Sequence, residues 1–367
     1  AICIPNGVVH KIGDVHSYIK DSKENLTTIL CEDGTNVSAD LFIDCTGFKS
    51  MLLEGWMGQQ FIPFDKHLAN DSAWACRLPY TNREEQMHNV TDCHALGNGW
   101  VWNIPLWSRI GTGYCFSSRF ISKEGAQMEF KEHLEATYGK DIADAADMFH
   151  IKIKHGYRRK AFVKNVVGIG LSYGFVEPLE STGLLTTHEN ILKLVDLINR
   201  RKGYITNSEK EAYNFSVEYD LVGFRDFVSM HYALSMRTDT PYWRWATQTN
   251  EYHPLQFNDF IPQYNVYTNL LVALQSANTF QEANQGANYI AAGMGIATYS
   301  TPESVREEYS NGDARSAIPV NGIEALEHSR QEYHKQQESL TAYMDTLPSH
   351  YQFLKDEIYG GVDTYED

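Results

Sequence analysis

The sequence lacks several features that would point to particular classes of protein. No apolar stretch approaches the ~18–20 residues that a helix needs to cross a bilayer. The six cysteines form no C-x-x-C pair and no Cys/His cluster with zinc spacing. Acidic residues outnumber basic ones by 47 to 31, and the resulting net charge of −16 repels a phosphate backbone. We therefore expect no membrane span, no metal and no nucleic-acid partner.

The first residues also lack a basic region followed by an apolar one, which would mark a secretory signal. Together with the scattered cysteines, this favours a reducing, cytoplasmic compartment in which the thiols are free and mostly buried. The sequence has no initiator Met and opens directly into strand-like residues. We therefore expect further sequence to precede Ala1 in the parent protein.

The pattern of the remaining residues favours an α/β fold of mixed α+β character. With 367 residues, 43% of them hydrophobic, the chain can form one large or two ordinary domains. Short apolar runs and turn residues predict strands at 7–15, 26–31, 35–37 and 39–47, with Asp33-Gly34 as a hairpin turn. We predict a sheet-rich region over residues 1–182 and a helical region over residues 183–367, sharing a cleft.

Helices are predicted from caps and periodicity. Ser122 is a candidate cap for a helix reaching Tyr138, with Met128, Phe130 and Leu134 facing inward. Further along, apolar residues and a histidine recur at helical steps, at Leu184, His188, Ile191, Val195 and Ile198. Residues 208–236 predict a long aromatic-rich helix, residues 299–322 a loop, and residues 323–345 a charged helix that ends before Pro348.

The segment best suited to chemistry joins a buried strand to a helix, over residues 168–185. The first backbone N–H groups of a helix have no partner within it and lie at its positive end, so they can bind an anion. Gly183 lets a ligand approach the main chain, and Glu180 stands directly before the helix as a base or a stabiliser of positive charge. Spacing alone leaves open the alternative that Glu180 and Ser181 only cap the helix.

Two separate segments match the motifs of one enzyme family. Residues 174–183 read Gly-Phe-Val-Glu-Pro-Leu-Glu-Ser-Thr-Gly, and residues 100–105 fit the pattern Trp-x-Trp-x-Ile-Pro. Similar segments occur in the family's order at residues 40–48, 113–119, 231–243 and 347–350. By these motifs the chain resembles the flavin-dependent halogenases of the tryptophan-halogenase family along nearly its whole length. The resemblance implies an FAD-binding sheet region of the flavoprotein monooxygenase and halogenase type, followed by a mostly helical region.

The resemblance also implies roles for individual residues. Glu180 is the expected catalytic glutamate, and Ser181 is its neighbour facing the lysine that carries the halogen. The amides of Thr182 and Gly183 are expected to hold the halide. The isoalloxazine ring is expected to contact Leu171 and Leu184, and the adenine to contact the main chain of Val15.

The tryptophan motif has two readings. Trp100, Trp102 and Ile104 alternate onto one face of a strand, so that they form an apolar wall together with Pro105. By the resemblance, this wall separates the flavin from the substrate pocket. By pattern alone, both tryptophans are ordinary core aromatics.

The reaction implied by the resemblance uses reduced FAD and oxygen to turn chloride, bromide or iodide into hypohalous acid. The halogen then reaches an aromatic substrate through a lysine. Reduced FAD is expected from a separate flavin reductase that binds transiently, and a homodimer or higher oligomer is compatible with the sequence.

The sequence departs from the family pattern in two places. The Gly-x-Gly-x-x-Gly turn and the halogen-carrying lysine have no counterpart here, so no lysine is assigned that role. The favoured explanation is that an N-terminal segment precedes Ala1, in which case a fragment starting there should fold poorly. The alternative is loss of the first nucleotide-binding unit. Residues 278–295 do not reproduce the family's Phe-Trp pair, so we expect an indole-like or phenol-like substrate in preference to free tryptophan.

Two other functions compete with a halogenase. A flavoprotein aromatic monooxygenase would share the sheet and the mode of flavin binding but would hydroxylate its substrate. A non-catalytic remnant would keep the fold as a binding or scaffolding protein. Product mass with and without bromide distinguishes the first rival, and FAD affinity of the full-length protein distinguishes the second.

Overall fold

The computed structural model describes residues 3–248, apart from 234 and 236, together with residues 331, 334, 335 and 337–361. The predicted loop at 299–322 and the substrate stretch at 278–295 lie outside the described residues. The chain divides into two compact units, the first formed by Ala1–Lys66 and Lys154–Arg225 and the second by His67–Ile153 and Asp226–Asp367. The compact units thus follow a different division from the predicted boundary at residues 182 and 183, which stays a prediction.

The first unit contains three small sheets and the helices α4 and the first part of α5. One sheet is an antiparallel meander with the order β1-β2-β3; the other two have the orders β14-β11-β5 and β12-β13-β4. Its strands are β1 Val15–Lys20, β2 Leu26–Cys31, β3 Asn36–Ser38, β4 Phe42–Asp44, β5 Phe61–Pro63, β11 Gly156–Arg158, β12 Phe162–Val163, β13 Val166–Gly168 and β14 Gly174–Phe175. The helices are α4 Thr182–Arg201 and α5 Asn207–Ala233.

The strand predicted over residues 7–15 is wrong, whereas the one predicted over 26–31 is confirmed. Residues 8–14 carry no regular structure, and Val9 and Ile12 are 78% and 88% exposed. The ladder begins where Val15 faces Cys31. Beyond that point the partner strand turns away through Gly34, whose φ is 80°. The carbonyl of Asp14 still accepts the amide of Glu32 at 2.9 Å, but the residues before Asp14 have no continuation of β2 to pair with.

The second unit is built on a five-stranded antiparallel sheet with the order β10-β6-β9-β8-β7. Its strands are β6 Ser72–Leu78, β7 Asp92–Leu96, β8 Gly99–Pro105, β9 Ile110–Phe116 and β10 Phe149–Lys152. Its helices include α1 Arg83–Gln86, α2 Lys123–Tyr138, α3 Lys140–Ala145 and α6 Pro241–Gln248. In the described part of the chain, no helix is both long and apolar enough to cross a membrane.

Helix α2 covers one face of that sheet. The predicted cap is confirmed, since Ser122 Oγ accepts the amide of Gly125 at 3.0 Å. Phe130 and Leu134 are fully buried as predicted, but Met128 is 64% exposed. Ala126 takes the third inward position because residues 126, 130 and 134 follow four-residue steps, whereas residue 128 points to the other side.

An aromatic clamp fastens the end of β8 to residues near the C-terminus. The guanidinium of Arg83 lies 4.1 Å from the ring centre of Trp107, and that ring stacks on Tyr359 at 4.2 Å. Tyr351 lies 5.8 Å from Trp107, on a short helix at His350–Phe353. The segment before it is helical at 337–344 and ends before Pro348, as predicted.

Helix α4 presents an unexpected face to the interior. Its helical periodicity is confirmed, but Leu184 is 85% exposed, and Ile191 and Val195 are also exposed. The buried positions are Thr182, Asn190, Leu194 and Leu197. The inward face thus mixes polar and apolar residues. It packs against α5, where Tyr213 Oη donates to the carbonyl of Asn190 at 3.1 Å and Lys193 pairs with Asp220.

The thiols are distributed more evenly than predicted. All six cysteines are free, as expected, but only Cys31, Cys76 and Cys115 are buried. Burial raises the pKa of Cys76 to about 12, with a contribution from Asp147. This thiol therefore stays protonated and behaves as a small apolar group.

A buried carboxylate closes the loop after β4. Asp44 is fully buried, and its Oδ1 accepts the amide and hydroxyl of Thr46 at 2.9 and 2.6 Å. Its Oδ2 accepts the amides of Leu52 and Leu53, both at 2.8 Å. All four donors point at one carboxylate, so this side chain fixes the conformation of residues 44–53.

We expect Asp44→Asn to lower the free energy of unfolding by about 2–3 kcal/mol, because the new NH2 group would face N–H donors and leave them buried and unpaired. Urea unfolding followed by circular dichroism measures the change. Asp33→Asn is the matched control, since that carboxylate also accepts an amide and a hydroxyl, from Thr35, but is exposed. An equal effect of the two substitutions would contradict this account of Asp44.

Candidate functional site

The chain passes from β13 to α4 through a tightly held turn. Gly170 has a φ of 68°, which favours glycine, and opens a 3-10 turn over Gly170–Ser172. The hydroxyl of Ser172 donates to the carbonyl of Asp44, and Ser50 Oγ donates to the carbonyl of Ser172 at 2.7 Å. The turn is therefore fastened to the same loop that Asp44 closes.

A buried arginine holds this turn from the other side. Arg158 is almost fully buried and donates to the carbonyl of Leu171 at 3.1 Å and to that of Phe48 at 3.0 Å. Its remaining donors reach Glu54 Oε2, at 3.0 Å from Nε and 2.7 Å from Nη2. Leu171, one of the predicted flavin contacts, is thus positioned through its main chain.

Helix α4 starts from a left-handed residue. Ser181 has φ 56° and ψ 28°, and its amide donates to the carbonyl of Pro178 at 3.0 Å. Its side chain makes no capping hydrogen bond to the helix. Among the described residues, no protein acceptor takes the amide hydrogens of Thr182 or Gly183. The helix start therefore keeps the open donors that an anion site requires.

A pocket of about 410 Å³ lies beside this helix start, within the first unit. Five of the predicted site residues line it, namely Leu171, Ser181, Thr182, Gly183 and Leu184. Apolar side chains form much of its wall, among them Phe175, Val176, Leu221 and Phe224. Glu180 is half-buried and directly precedes these residues, but it is not one of those lining the pocket.

The other predicted site residues lie elsewhere. Val15 begins β1, where it faces Cys31, and does not line the pocket. Trp100, Trp102, Ile104 and Pro105 all belong to β8 of the second unit. Trp100 is buried, and its ring lies 6.1 Å from that of Trp102 on the same face of the strand.

A glycine on the neighbouring strand sets the position of Trp102. Trp102 faces Gly113 across the β8–β9 ladder. A Cβ added at Gly113 would lie 2.2 Å from Cζ2 of the Trp102 ring and 2.6 Å from the carbonyl oxygen of Trp74. The indole therefore lies flat against the backbone of β9, in space that only glycine leaves open.

Sequence reasoning missed several polar residues around the junction. Tyr173 and Asn190 are buried and line the pocket. His155 is buried as well; its Nδ1 accepts the amide of Glu177 at 3.1 Å, and its ring stacks on Phe175 at 5.7 Å. Tyr173 directly precedes the family motif at residues 174–183, and Glu177 lies within it. Proximity to this motif was the one feature of the sequence that could have drawn attention to them. Within the described ranges, no group of three or more His, Cys, Asp or Glu side chains could hold a metal ion.

Known proteins share the sequence motifs from which this arrangement is built. A family profile described as "Tryptophan halogenase" matches residues 2–307, which is well over half of the 367 residues. The chain belongs to the tryptophan halogenase family. The matched range includes the tryptophan motif of β8 and the junction that leads into α4, so the resemblance inferred from those motifs is confirmed.

Named members of the family are similar over much of this chain. The 7-chloro-L-tryptophan 6-halogenase KtzR of Kutzneria sp. (strain 744) is 30% identical over 351 residues, covering 96% of this chain and 63% of KtzR. Tryptophan 7-halogenase RebH of Lentzea aerocolonigenes is 35% identical over 240 residues, covering 65% of this chain and 44% of RebH. The chain thus spans less than two thirds of the length of either relative.

Solved structures show the same fold. The apo structure of VirX1 superposes with a TM-score of 0.82 at 50% identity, covering 97% of this chain and 66% of VirX1. BrvH, a flavin-dependent halogenase from Brevundimonas sp. BAL3, gives a TM-score of 0.73 at 25% identity, covering 96% of this chain and 66% of BrvH. The predicted α/β class of the halogenase fold is therefore confirmed.

We expect Gly113→Ala to lower the free energy of unfolding of this family member by about 1–3 kcal/mol, because the methyl group would push the Trp102 ring aside. Urea unfolding gives the energy, and near-ultraviolet circular dichroism reports the movement of the indole. Gly111→Ala on the same strand is the control, since its Cβ would meet no atom closer than 3.7 Å. If the two variants were equally stable, Trp102 would not be held by Gly113.

Proposed function

We propose that the protein works as a flavin-dependent halogenase, which uses reduced FAD, oxygen and a halide to halogenate an electron-rich aromatic substrate. The observation that supports this most strongly is the start of α4, where the amides of Thr182 and Gly183 stay open beside a largely apolar pocket. Such a place suits a halide ion next to a flat apolar ring. The substrate class we favour is an indole or a phenol in preference to free tryptophan.

The pocket fits the flavin ring that the family implies. Leu171 and Leu184 would pack against the isoalloxazine, and we propose that the main chain of Val15 contacts the adenine. The flavin, when bound, supplies the two-electron chemistry with oxygen by which a halide becomes an electrophile. The protein's own residues hold the anion, exclude water and shape the cavity.

We assign to Glu180 the stabilisation of the positive charge that develops on the aromatic substrate during halogenation. Attack of an aromatic ring on an electrophilic halogen produces a cationic ring, and a nearby carboxylate both stabilises that cation and accepts its proton. Ser181, held in a left-handed turn, would orient the glutamate beside it. On β8, the fixed pair Trp100 and Trp102, with Ile104 and Pro105, would form an apolar wall of the substrate pocket.

We also propose that the enzyme is cytoplasmic, that it forms a homodimer or a higher oligomer, and that a separate flavin reductase supplies reduced FAD in a transient encounter.

Mass spectrometry of products formed with and without bromide tests the reaction type. A product that gains bromine only when bromide is present supports a halogenase. Gain of oxygen under both conditions would instead indicate a monooxygenase.

We expect Glu180→Gln to lower halogenated product at least tenfold, an order-of-magnitude figure for loss of one catalytic carboxylate, while oxidation of reduced flavin continues. Liquid chromatography of the product and oxygen consumption are measured in the same reaction. Glu189→Gln, on α4, is the control and should leave both rates unchanged. Product formation by Glu180→Gln at the original rate would remove Glu180 from the mechanism.

We expect Gly183→Pro to weaken halide binding by roughly tenfold or more, because proline removes one N–H donor to an anion while fitting the first turn of a helix. Line broadening of chloride in chlorine-35 NMR measures binding without turnover. Gly183→Ala is the matched control, since a Cβ there meets no atom within 4 Å and the amide is kept. Unchanged chloride binding by the proline variant would argue against this anion site.

A further inference from the structure

The proposed function gives no role to the family segment at residues 231–243. The end of this segment binds the main chain of the hairpin that joins β7 to β8, the strand that carries the tryptophan motif. Arg237 Nη1 donates to the carbonyls of Ala95 and Leu96, at 2.7 and 3.0 Å. Its Nε and Nη2 donate to the carboxylate of Asp239, at 3.0 and 2.7 Å. The guanidinium is therefore fixed where it meets the hairpin.

Two further side chains of the segment bind the same turn. Trp243 Nε1 donates to the carbonyl of Leu96 at 2.6 Å, and Thr240 Oγ1 donates to that of Gly97 at 2.7 Å. Three consecutive carbonyls, from residue 95 to residue 97, thus each accept a hydrogen from one segment. A surface turn ordinarily leaves such groups to water, so these bonds hold this turn by its acceptors.

A carboxylate on helix α2 holds the donors of the same turn. Glu129 Oε1 accepts the amide of Gly97 at 2.7 Å, and its Oε2 accepts from Asn98 Nδ2 at 3.2 Å and from Tyr114 Oη at 2.8 Å. Tyr114 Oη in turn accepts the main-chain amide of Asn98 at 3.1 Å. Burial raises the pKa of Tyr114 well above its ordinary value, and Glu129 raises it further. The phenol therefore keeps the proton that it donates.

The backbone of the turn explains why it needs these partners. Leu96 faces Gly99 across the ladder, so only Gly97 and Asn98 form the loop between the strands. Hairpins with two loop residues favour turns with a positive φ at the first of them, because such turns match the twist of the strands. Neither Gly97 nor Asn98 has a positive φ. The side chains around the turn therefore have to set its shape.

Each of the two peptide groups in this turn is held from both sides. In the peptide between Leu96 and Gly97, the N–H group donates to Glu129 and the carbonyl accepts from Arg237. In the next peptide, the N–H group donates to a tyrosine hydroxyl and the carbonyl accepts from a threonine hydroxyl. The N–H and C=O bonds of a trans peptide point in opposite directions, so neither plane can rotate without breaking one of these hydrogen bonds.

The strand that leaves this turn carries both tryptophans of the motif. β8 begins at Gly99, and Trp100 faces Ala95, one of the residues that Arg237 binds. Trp102 lies on the same face of the strand as Trp100, because side chains two residues apart point the same way. A rotated turn would tilt the strand at its start and move both indoles.

We propose that Glu129 and Arg237 are positioning residues that set the place of the Trp100 and Trp102 indoles by holding the turn before β8. The carboxylate binds the N–H side of the turn and the guanidinium binds its carbonyl side. The inference rests on the proposed function in that the two indoles form a wall of the substrate pocket. It goes further by assigning control of that wall to residues that do not belong to it.

Fluorine NMR of the full chain labelled with 5-fluorotryptophan tests the positioning without turnover. Trp100→Phe and Trp102→Phe identify the two resonances. Glu129→Gln places an NH2 group among three hydrogen donors, and Arg237→Lys keeps the charge but loses the planar fork. We expect both variants to shift or broaden these two resonances. Glu132→Gln, which is exposed on the same helix, is the matched control and should leave both resonances unchanged.

Steady-state kinetics measure the consequence for the substrate. We expect Glu129→Gln to raise KM for indole about three- to tenfold and to keep kcat within about twofold, because a displaced wall weakens the binding of substrate and transition state alike. Oxidation of reduced flavin without indole should continue at the original rate. A purely structural role predicts the opposite result, since a partly unfolded enzyme loses apparent kcat while its folded fraction keeps the original KM.

The outcomes separate this inference from the proposed function. Unmoved tryptophan resonances in both variants would overturn the inference, and moved resonances with an unchanged KM would overturn its link to the substrate. Absence of halogenated product from the unmodified protein, with the resonances moved as expected, would overturn the proposed function alone.

Hydrogen exchange of the unmodified protein needs no variant to fold. The amide of Gly97, bound to Glu129, should exchange at least about tenfold more slowly than in an unfolded peptide of the same sequence. Exchange at the unfolded rate would show that the turn is not held, and the inference would then be wrong.

Discussion

The left-handed backbone of Ser181 is the constraint on which the candidate site depends. A non-glycine residue in that conformation costs roughly 1–2 kcal/mol, so the surrounding structure has to enforce it. Here the turn closes through the amide of Ser181 and the carbonyl of Pro178 at 3.0 Å. Because the chain enters α4 at this angle, the side chain of Ser181 does not cap the helix, and the first amides stay available to an anion. Relaxation of this one residue would remove both the anion donors and one wall of the pocket.

The turn that leads to the pocket is held by buried charge. Arg158 binds the main chain of Leu171 and Phe48, and Glu54 balances its charge at 2.7 Å. Asp44 collects four donors from the adjoining loop. Buried ions of this kind contribute little net stability, because desolvation offsets their attraction, but they tolerate only one geometry. We interpret them as the reason that the turn before the pocket has a fixed shape.

The sequence allowed prediction of features that neighbouring residues determine. The cap at Ser122, the strand at Leu26–Cys31 and the helix after Ser181 all follow from local chemistry, and the family motif pointed to the open amides. Features set by distant partners were missed. Residues 8–14 lack a strand because β2 turns away, and α4 buries Asn190 because α5 packs there. Asn190 gave no signal, because a polar residue in an apolar pattern does not reveal whether the folded chain will bury it.

The aromatic clamp around Arg83 limits how strongly salt in the surrounding solution affects the end of β8. The guanidinium of Arg83 is buried and stacked against Trp107 at 4.1 Å. A shielded cation on an aromatic face is screened by salt far less than a pair of exposed ions. The attachment of the tryptophan strand to the segment around Tyr351 and Tyr359 therefore depends less on ionic strength than a pair of exposed ions would. Salt added as halide should therefore loosen this attachment less than it loosens surface ion pairs.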